Sequence, residues 1–176
     1  GIKLEREKLE SIMNQADDYY DTSDTTPRQM REKLIEKYDD AENFASFYIN
    51  VLSFGFKHGM PLDADIVMDV RFLPNPYYIE SLRDKTGLDQ DVYDYVMKQS
   101  DTEEFYKRFV DLLDFVVPGY KREGRSNLTI AIGCTGGQHR SVALTERGGG
   151  KLAIDGYQVN IFHRDVKRRK ESTVRS

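Results

Sequence analysis

The stretch LTIAIGCTGGQHRSVAL, residues 128–144, holds the chain's single cysteine, two adjacent glycines, a histidine and an arginine. Two chemistries fit those residue types at that spacing. Cys134, followed by five residues and then Arg140-Ser141, has the spacing of a cysteine phosphatase loop, in which a helix N-terminus lowers the thiol pKa and makes the nucleophile. Alternatively, an apolar strand that runs through a glycine-rich turn into a helix makes an anion cradle. Unpaired N–H groups and the helix dipole then face a phosphate that is held but not cleaved. In that cradle Gly136 and Gly137 let the backbone come close, and Arg140 can fork two donors onto the anion. Thr135, Gln138 and Ser141 add polar contacts. Against the phosphatase stand Gly133, where such enzymes usually carry a histidine, and the lack of an aspartate placed as general acid. Asp101, Asp111 and Asp114 all fall on a predicted helix or its cap.

Other polar clusters are thinner. Lys57-His58, between two glycines just after a predicted strand end, would face the same rim as the glycine loop if the strands run parallel. Asp63, Asp65, Asp69 and Arg71 follow; the first two could bond sugar hydroxyls. Three histidines and one cysteine, widely scattered, predict no metal site. The last fourteen residues, HRDVKRRKESTVRS, carry a net charge of +4 and leave −8 on the rest of a chain whose net charge is −4. Such a basic tail suits a nucleic-acid backbone or, equally, solvent.

The elements that must position these groups alternate between strand and helix. Residues 2–14 read as an amphipathic helix and 16–24 as a short edge strand. Ser23, Asp24, Thr25 or Thr26 can N-cap a helix over 27–39, with Pro27 in its first turn. Strands are predicted over 43–55, over 65–73 (apolar enough to be central), over 128–134 (buried on both faces) and over 157–163. Helices are predicted within 82–99, from a cap at Asp101-Thr102 to Pro118-Gly119, and from Gln138 to Arg147. The second of these would turn Phe105, Phe109, Leu112, Leu113 and Val116 inward. Gly148, Gly149 and Gly150 would cost about 3 kcal/mol inside a helix and so predict an early end or a weak stretch. The fold class is α/β, with a mixed or mainly parallel sheet and flanking helices.

With 176 residues, 39% of them hydrophobic, the chain can build a core. One cysteine forms no internal disulfide, no run is long enough to cross a bilayer, and the N-terminus does not read as a signal peptide. A cytoplasmic protein is expected.

Three segments, SFGFKHGMPLDADIVMDVRFLPNPYY, TGLD and IAIGCTGGQHRSV, closely resemble the C-terminal domain of the RapZ/YvcJ proteins. The HRD and KRRK of the tail resemble the family's basic end, and DTSD resembles a landmark near the end of its N-terminal nucleotide-binding domain. The resemblance implies a remnant of that domain over 1–43, a ligand-binding domain over 44–163 and a basic tail over 164–176. It also implies a fold like the sugar-phosphate-binding part of a phosphofructokinase. Full-length members bind and hydrolyse ATP and GTP through a P-loop. This chain has no GxxxxGK[ST], so it is expected to hold no nucleotide cofactor and to be no enzyme itself. What the resemblance implies for the chain is a regulatory sensor or adapter that binds a glucosamine-6-phosphate-like metabolite, small RNAs and regulatory proteins, and that self-associates. The implied ligand residues are Cys134, Thr135, Gly136, Gly137, Gln138, His139 and Arg140, with Lys57, His58, Arg71 and Asn75. The implied RNA contacts are Arg164, Lys167, Arg168, Arg169 and Lys170. Tyr77 stands where the enterobacterial pattern has a histidine at the ligand, a departure that bears on which sugar phosphate is held. The enzyme-class alternative is a cysteine-dependent phosphatase using Cys134 and Arg140.

Overall fold

The computed structural model describes residues 25–26, 29–30 and 47–168. The chain divides into two units, Gly1–Ala45 and Ser46–Ser176. In the first, Thr26 is a helix N-cap. Its hydroxyl accepts from Gln29 N–H at 3.3 Å, the Gln29 side chain accepts from Thr26 N–H at 3.0 Å, and Met30 N–H bonds back to Thr26 O. This reciprocal capping box is among the starts that the sequence allows. The expected helix at 2–14 and strand at 16–24 lie outside the described residues.

The second unit is α/β, as expected. Its sheet has four strands, β1 (Tyr48–Gly55), β2 (Ile66–Asp69), β3 (Asn127–Cys134) and β4 (Gln158–His163), in the order β2-β3-β1-β4. All the pairings are parallel. Among the described residues three α-helices accompany it: α1 (Gln90–Met97), α2 (Ser100–Arg122) and α3 (Arg140–Ile154). Ile49 and Val51 of β1, and Leu128, Ile130 and Ile132 of β3, share one core with Phe109, Leu113 and Val117 of α2 and Leu144 and Leu152 of α3. A polar ladder also crosses the sheet, where Asn160 donates to Asn50 and Asn50 to Thr129.

Three expectations are corrected. β2 lies at the edge and ends at Asp69, because it pairs with β3 alone and none of its four residues is fully buried. β3 is buried on both faces as expected, save at Thr129, which joins the polar ladder and is half-buried. The long helix α2 starts at Ser100 after an N-cap at Gln99 and continues through Pro118-Gly119 to Arg122. Proline there removes the bond to the Asp114 carbonyl, but Asp114 is on the exposed side where water can take its place. Burial of Val117 and packing of Tyr120 on the core hold the last turn in register. On the same helix Leu112 faces outward, 43% exposed, and Val117 takes the inner position.

The third correction concerns the triple glycine, since α3 runs straight through it to Ile154. A Cβ on Gly149 would stand 2.6 Å from Ile161 Cδ1, and one on Gly148 would stand 3.8 Å from a Phe109 ring carbon. Glycine at 149 therefore lets α3 lie against β4 more closely than a side chain would, and this packing offsets its helix cost. Gly150 is different: a Cβ there meets nothing within 4 Å. Gly150→Ala should therefore raise unfolding stability by about 0.5–1 kcal/mol, while Gly149→Leu should lower it. Denaturant titration of the two variants checks this, and the same sign for both would contradict it.

Candidate functional site

In an open parallel sheet ligands are taken in the crevice beyond the carboxyl ends of the strands. β1 and β3 are the two central strands here. The chain leaves β1 for β2 at one edge of the sheet, and leaves β3 through α3 for β4 at the other. A cavity of about 400 Å³ opens beyond the carboxyl ends of β1 and β3. One wall is the loop after β3, with Cys134, Thr135, Gly136, Gln138, His139 and Arg140; facing it are Lys57 from the turn after β1 and Asn75, Tyr77 and Tyr78 from the proline-rich segment. Among the described residues no Asp or Glu lines it.

The loop is held from every side by backbone. A Cβ on Gly55 would fall 2.6 Å from the carbonyl carbon of Gly136, and one on Gly137 would fall 2.6 Å from Gly55 N. Gly137 also has φ +72°, in the left-handed region that suits glycine. Lys57 N–H donates to Thr135 O at 3.3 Å, and Gly87 N–H to Gln138 O at 2.8 Å. Gly87, from the TGLD segment, leaves no room for a side chain because a Cβ would lie 2.3 Å from His139 O. The His139 ring bonds through Nε2 to Arg83 O at 3.2 Å. The Lys57 ammonium hangs over Gly136, 3.9 Å from where a Cβ would be.

Arg140 has a different task from the one its type suggests. It is buried, 3% exposed, and Nη1 donates to Arg71 O at 2.6 Å and Leu73 O at 2.8 Å, while Nη2 reaches Thr135 Oγ1 at 3.4 Å. The fork expected to grip an anion is turned largely onto the chain's own carbonyls. It fixes the 71–75 segment against the glycine loop and leaves its positive charge beside the cavity. Cys134 is likewise buried, with Sγ 3.1 Å from Ser141 Oγ. The glycine before it is imposed by packing, since a Cβ on Gly133 would be 2.4 Å from the Phe54 ring. A phosphatase histidine has no room at that position.

Of the expected ligand residues, Gly137, His58 and Arg71 do not line the cavity. Gly137 supports the loop from behind. Arg71 pairs with Asp69 at 2.6 Å and stacks on the Phe56 ring at 4.1 Å. That pairing, chiefly the side-chain hydrogen bond, holds the Asp69 carboxyl below its ordinary range. His58 ends a short 3-10 turn, Phe56–His58, with its Nε2 buried. Asp63 and Asp65 are also elsewhere; Asp65 caps the start of β3 through Thr129 N–H and pairs with Arg125 at 2.5 Å.

In the tail, Arg164 folds inward, donating to Gly59 O at 2.6 Å and pairing with Asp165 at 2.8 Å. The Arg168 carbonyl accepts from the Gln138 side chain at 2.9 Å. Lys167 is exposed, and Arg169 and Lys170 lie outside the described residues. Sequence reasoning counted Asp165 only as a tail charge, yet it is fully buried. The available signal was its place directly after a strand end, within a run of cations that could pair with it. Tyr78, also missed, is exposed on the cavity rim.

Residues 47–167 match the family model described as the RapZ C-terminal domain. Over all 176 residues the chain is 56% identical to a protein of Lactiplantibacillus plantarum and 55% identical to one of Lacticaseibacillus casei, each named a nucleotide-binding protein. The chain spans 59% of the length of either relative.

Replacing Arg140 by alanine would leave two carbonyls without their charged donor and a hole beside the loop. A loss of about 3 kcal/mol is expected, with faster hydrogen exchange over 71–75 than in α2. Unchanged stability in denaturant would contradict the clamp.

Proposed function

The chain belongs to the RapZ C-terminal domain family, and from that premise we propose that it is a regulatory sensor domain for a phosphorylated sugar of the glucosamine-6-phosphate type. The observation that carries this reading is the cavity at the ends of β1 and β3, where the Lys57 ammonium faces the Gly136 backbone beside the buried Arg140 charge. A phosphate is suited to that end, because the first N–H groups of α3 have no partner within the helix and its dipole favours negative charge. Asn75, Tyr77 and Tyr78 form the opposite wall. There an amide can bond hydroxyl groups and aromatic rings can lie against the C–H face of a sugar.

Binding without turnover suits the same groups. A buried thiol bonded to Ser141, with no carboxyl in the described lining, lacks a general acid for phosphoester cleavage. Binding and hydrolysis of ATP and GTP, as proposed for the whole protein, would belong to residues beyond this stretch. RNA contact is proposed for Lys167 and Arg168, the tail cations that reach solvent among the described residues, since Arg164 is engaged inward. Regulatory protein partners and self-association remain part of the adapter reading.

Calorimetric titration with glucosamine-6-phosphate, glucosamine and inorganic phosphate tests the proposal. The sugar phosphate should bind more tightly than either part, and Lys57→Ala should weaken it about tenfold, as expected for one charge-assisted contact. Equal binding of the neutral sugar, or no effect of Lys57→Ala, would contradict it. Phosphate release that depends on Cys134 would move the assignment to the phosphatase. An RNA shift that is absent or insensitive to salt would remove the RNA part.

A further inference from the structure

Asp165 is 0% exposed although it follows an edge strand and has cations on both sides. Its Oδ2 accepts from Gly55 N–H at 2.8 Å and from Arg164 at 3.1 Å (Nε) and 2.8 Å (Nη2). Oδ1 lies 3.1 Å from Arg168 Nε. Each partner leads to the cavity. Gly55 is where the Lys57 turn departs and where the Gly136-Gly137 backbone is packed; a Cβ on Gly137 would itself come within 3.0 Å of Asp165 Cβ. Arg164 also donates to Gly59 O, closing the far end of the Lys57 turn. The carbonyl of Arg168 receives the Gln138 side chain.

We infer that Asp165 is the positioning residue of the cavity: its one carboxylate holds the Lys57 turn and the Gln138 side of the glycine loop at the spacing that a bound phosphate ester requires. This rests on the sugar-phosphate reading above. A buried carboxylate is costly unless paired and hydrogen-bonded, and Asp165 has both kinds of partner. Burial by itself would raise its pKa, but the bonds from Arg164 and Gly55 N–H, with the charge of Arg164, outweigh it and hold the carboxyl below its ordinary range. Its removal would orphan the Gly55 N–H and release two arginines that anchor opposite walls.

The test compares wild type, Asp165→Asn and Asp165→Ala in calorimetric titration with glucosamine-6-phosphate, below the melting temperature of each. Alanine should weaken binding at least tenfold. Asparagine keeps a neutral acceptor for Gly55 N–H and should fall between. Leu152→Ala, at the far end of α3, serves as a control that lowers melting temperature without changing affinity. Hydrogen exchange gives a second reading that needs no ligand. In Asp165→Asn the Gly55, Lys57 and Gly87 amides should exchange faster than in wild type, with Leu113 in α2 unchanged. Wild-type affinity in the folded variants overturns the inference; if alanine does not fold, asparagine alone decides. Wild-type exchange at those three amides overturns it as well. A wild-type protein silent to the sugar phosphate, with faster exchange in Asp165→Asn, would sink the sugar-phosphate reading and leave Asp165 as the residue that sets the two loops.

Discussion

Backbone packed directly on backbone is the constraint from which the rest of this domain follows. The end of β1 at Gly55 and the turn at Gly136-Gly137 approach so closely that a methyl group on Gly55 or Gly137 would collide with the other segment. The β1–β3 pairing brings the two together, because Gly55 and Cys134 are register partners at the last rung of the ladder. With that contact made, the Lys57 turn and the glycine loop face one another across a fixed gap, and the start of α3 is aimed into it. Gly87 repeats the device on the other side, seating the TGLD segment on the first turn of α3.

Charge is then placed by a different logic from the one that the loop's composition suggests. Arg140 supplies electrostatic attraction while its donors mostly tie down the chain. Lys57, exposed and on a short turn, is the cation free to move toward an anion among the described residues that line the cavity. This division suits recognition. A flexible, solvated ammonium can adapt to a phosphate, and a buried guanidinium keeps the wall from collapsing. Overall the chain is acidic, at −4, so the positive cavity is a local arrangement and not a consequence of bulk charge.

The sequence was most readable where local pattern and global packing agree. The apolar run at 128–134 and the glycine loop after it read as a strand entering a turn and then a helix, and β1 was marked by β-branched and aromatic residues. Reading failed where tertiary contacts override local preference. Pro118 and Gly148–Gly150 read as helix stops, yet core packing carries α2 past the first and close contact with Ile161 carries α3 through the second. Of the cavity's lining, the glycine loop and Lys57 could be read from residue type and spacing, while Asn75 entered only through the family resemblance. Asp165 could not be read, because a carboxylate among arginines looks the same in sequence whether it lies in solvent or beneath a pocket. Nor did sequence reveal that Arg140 would spend its fork on the carbonyls of Arg71 and Leu73, which are distant in the chain.

The most direct test is an amide-resolved nuclear magnetic resonance titration of the chain with glucosamine-6-phosphate. The account predicts that the largest shifts cluster at Lys57, Thr135, Gly136 and Gln138, with smaller ones at Asn75 and Tyr77. Shifts centred instead on the shallow cleft formed by Gly87, Gln90, Tyr93 and Arg147, or spread without a centre, would contradict it.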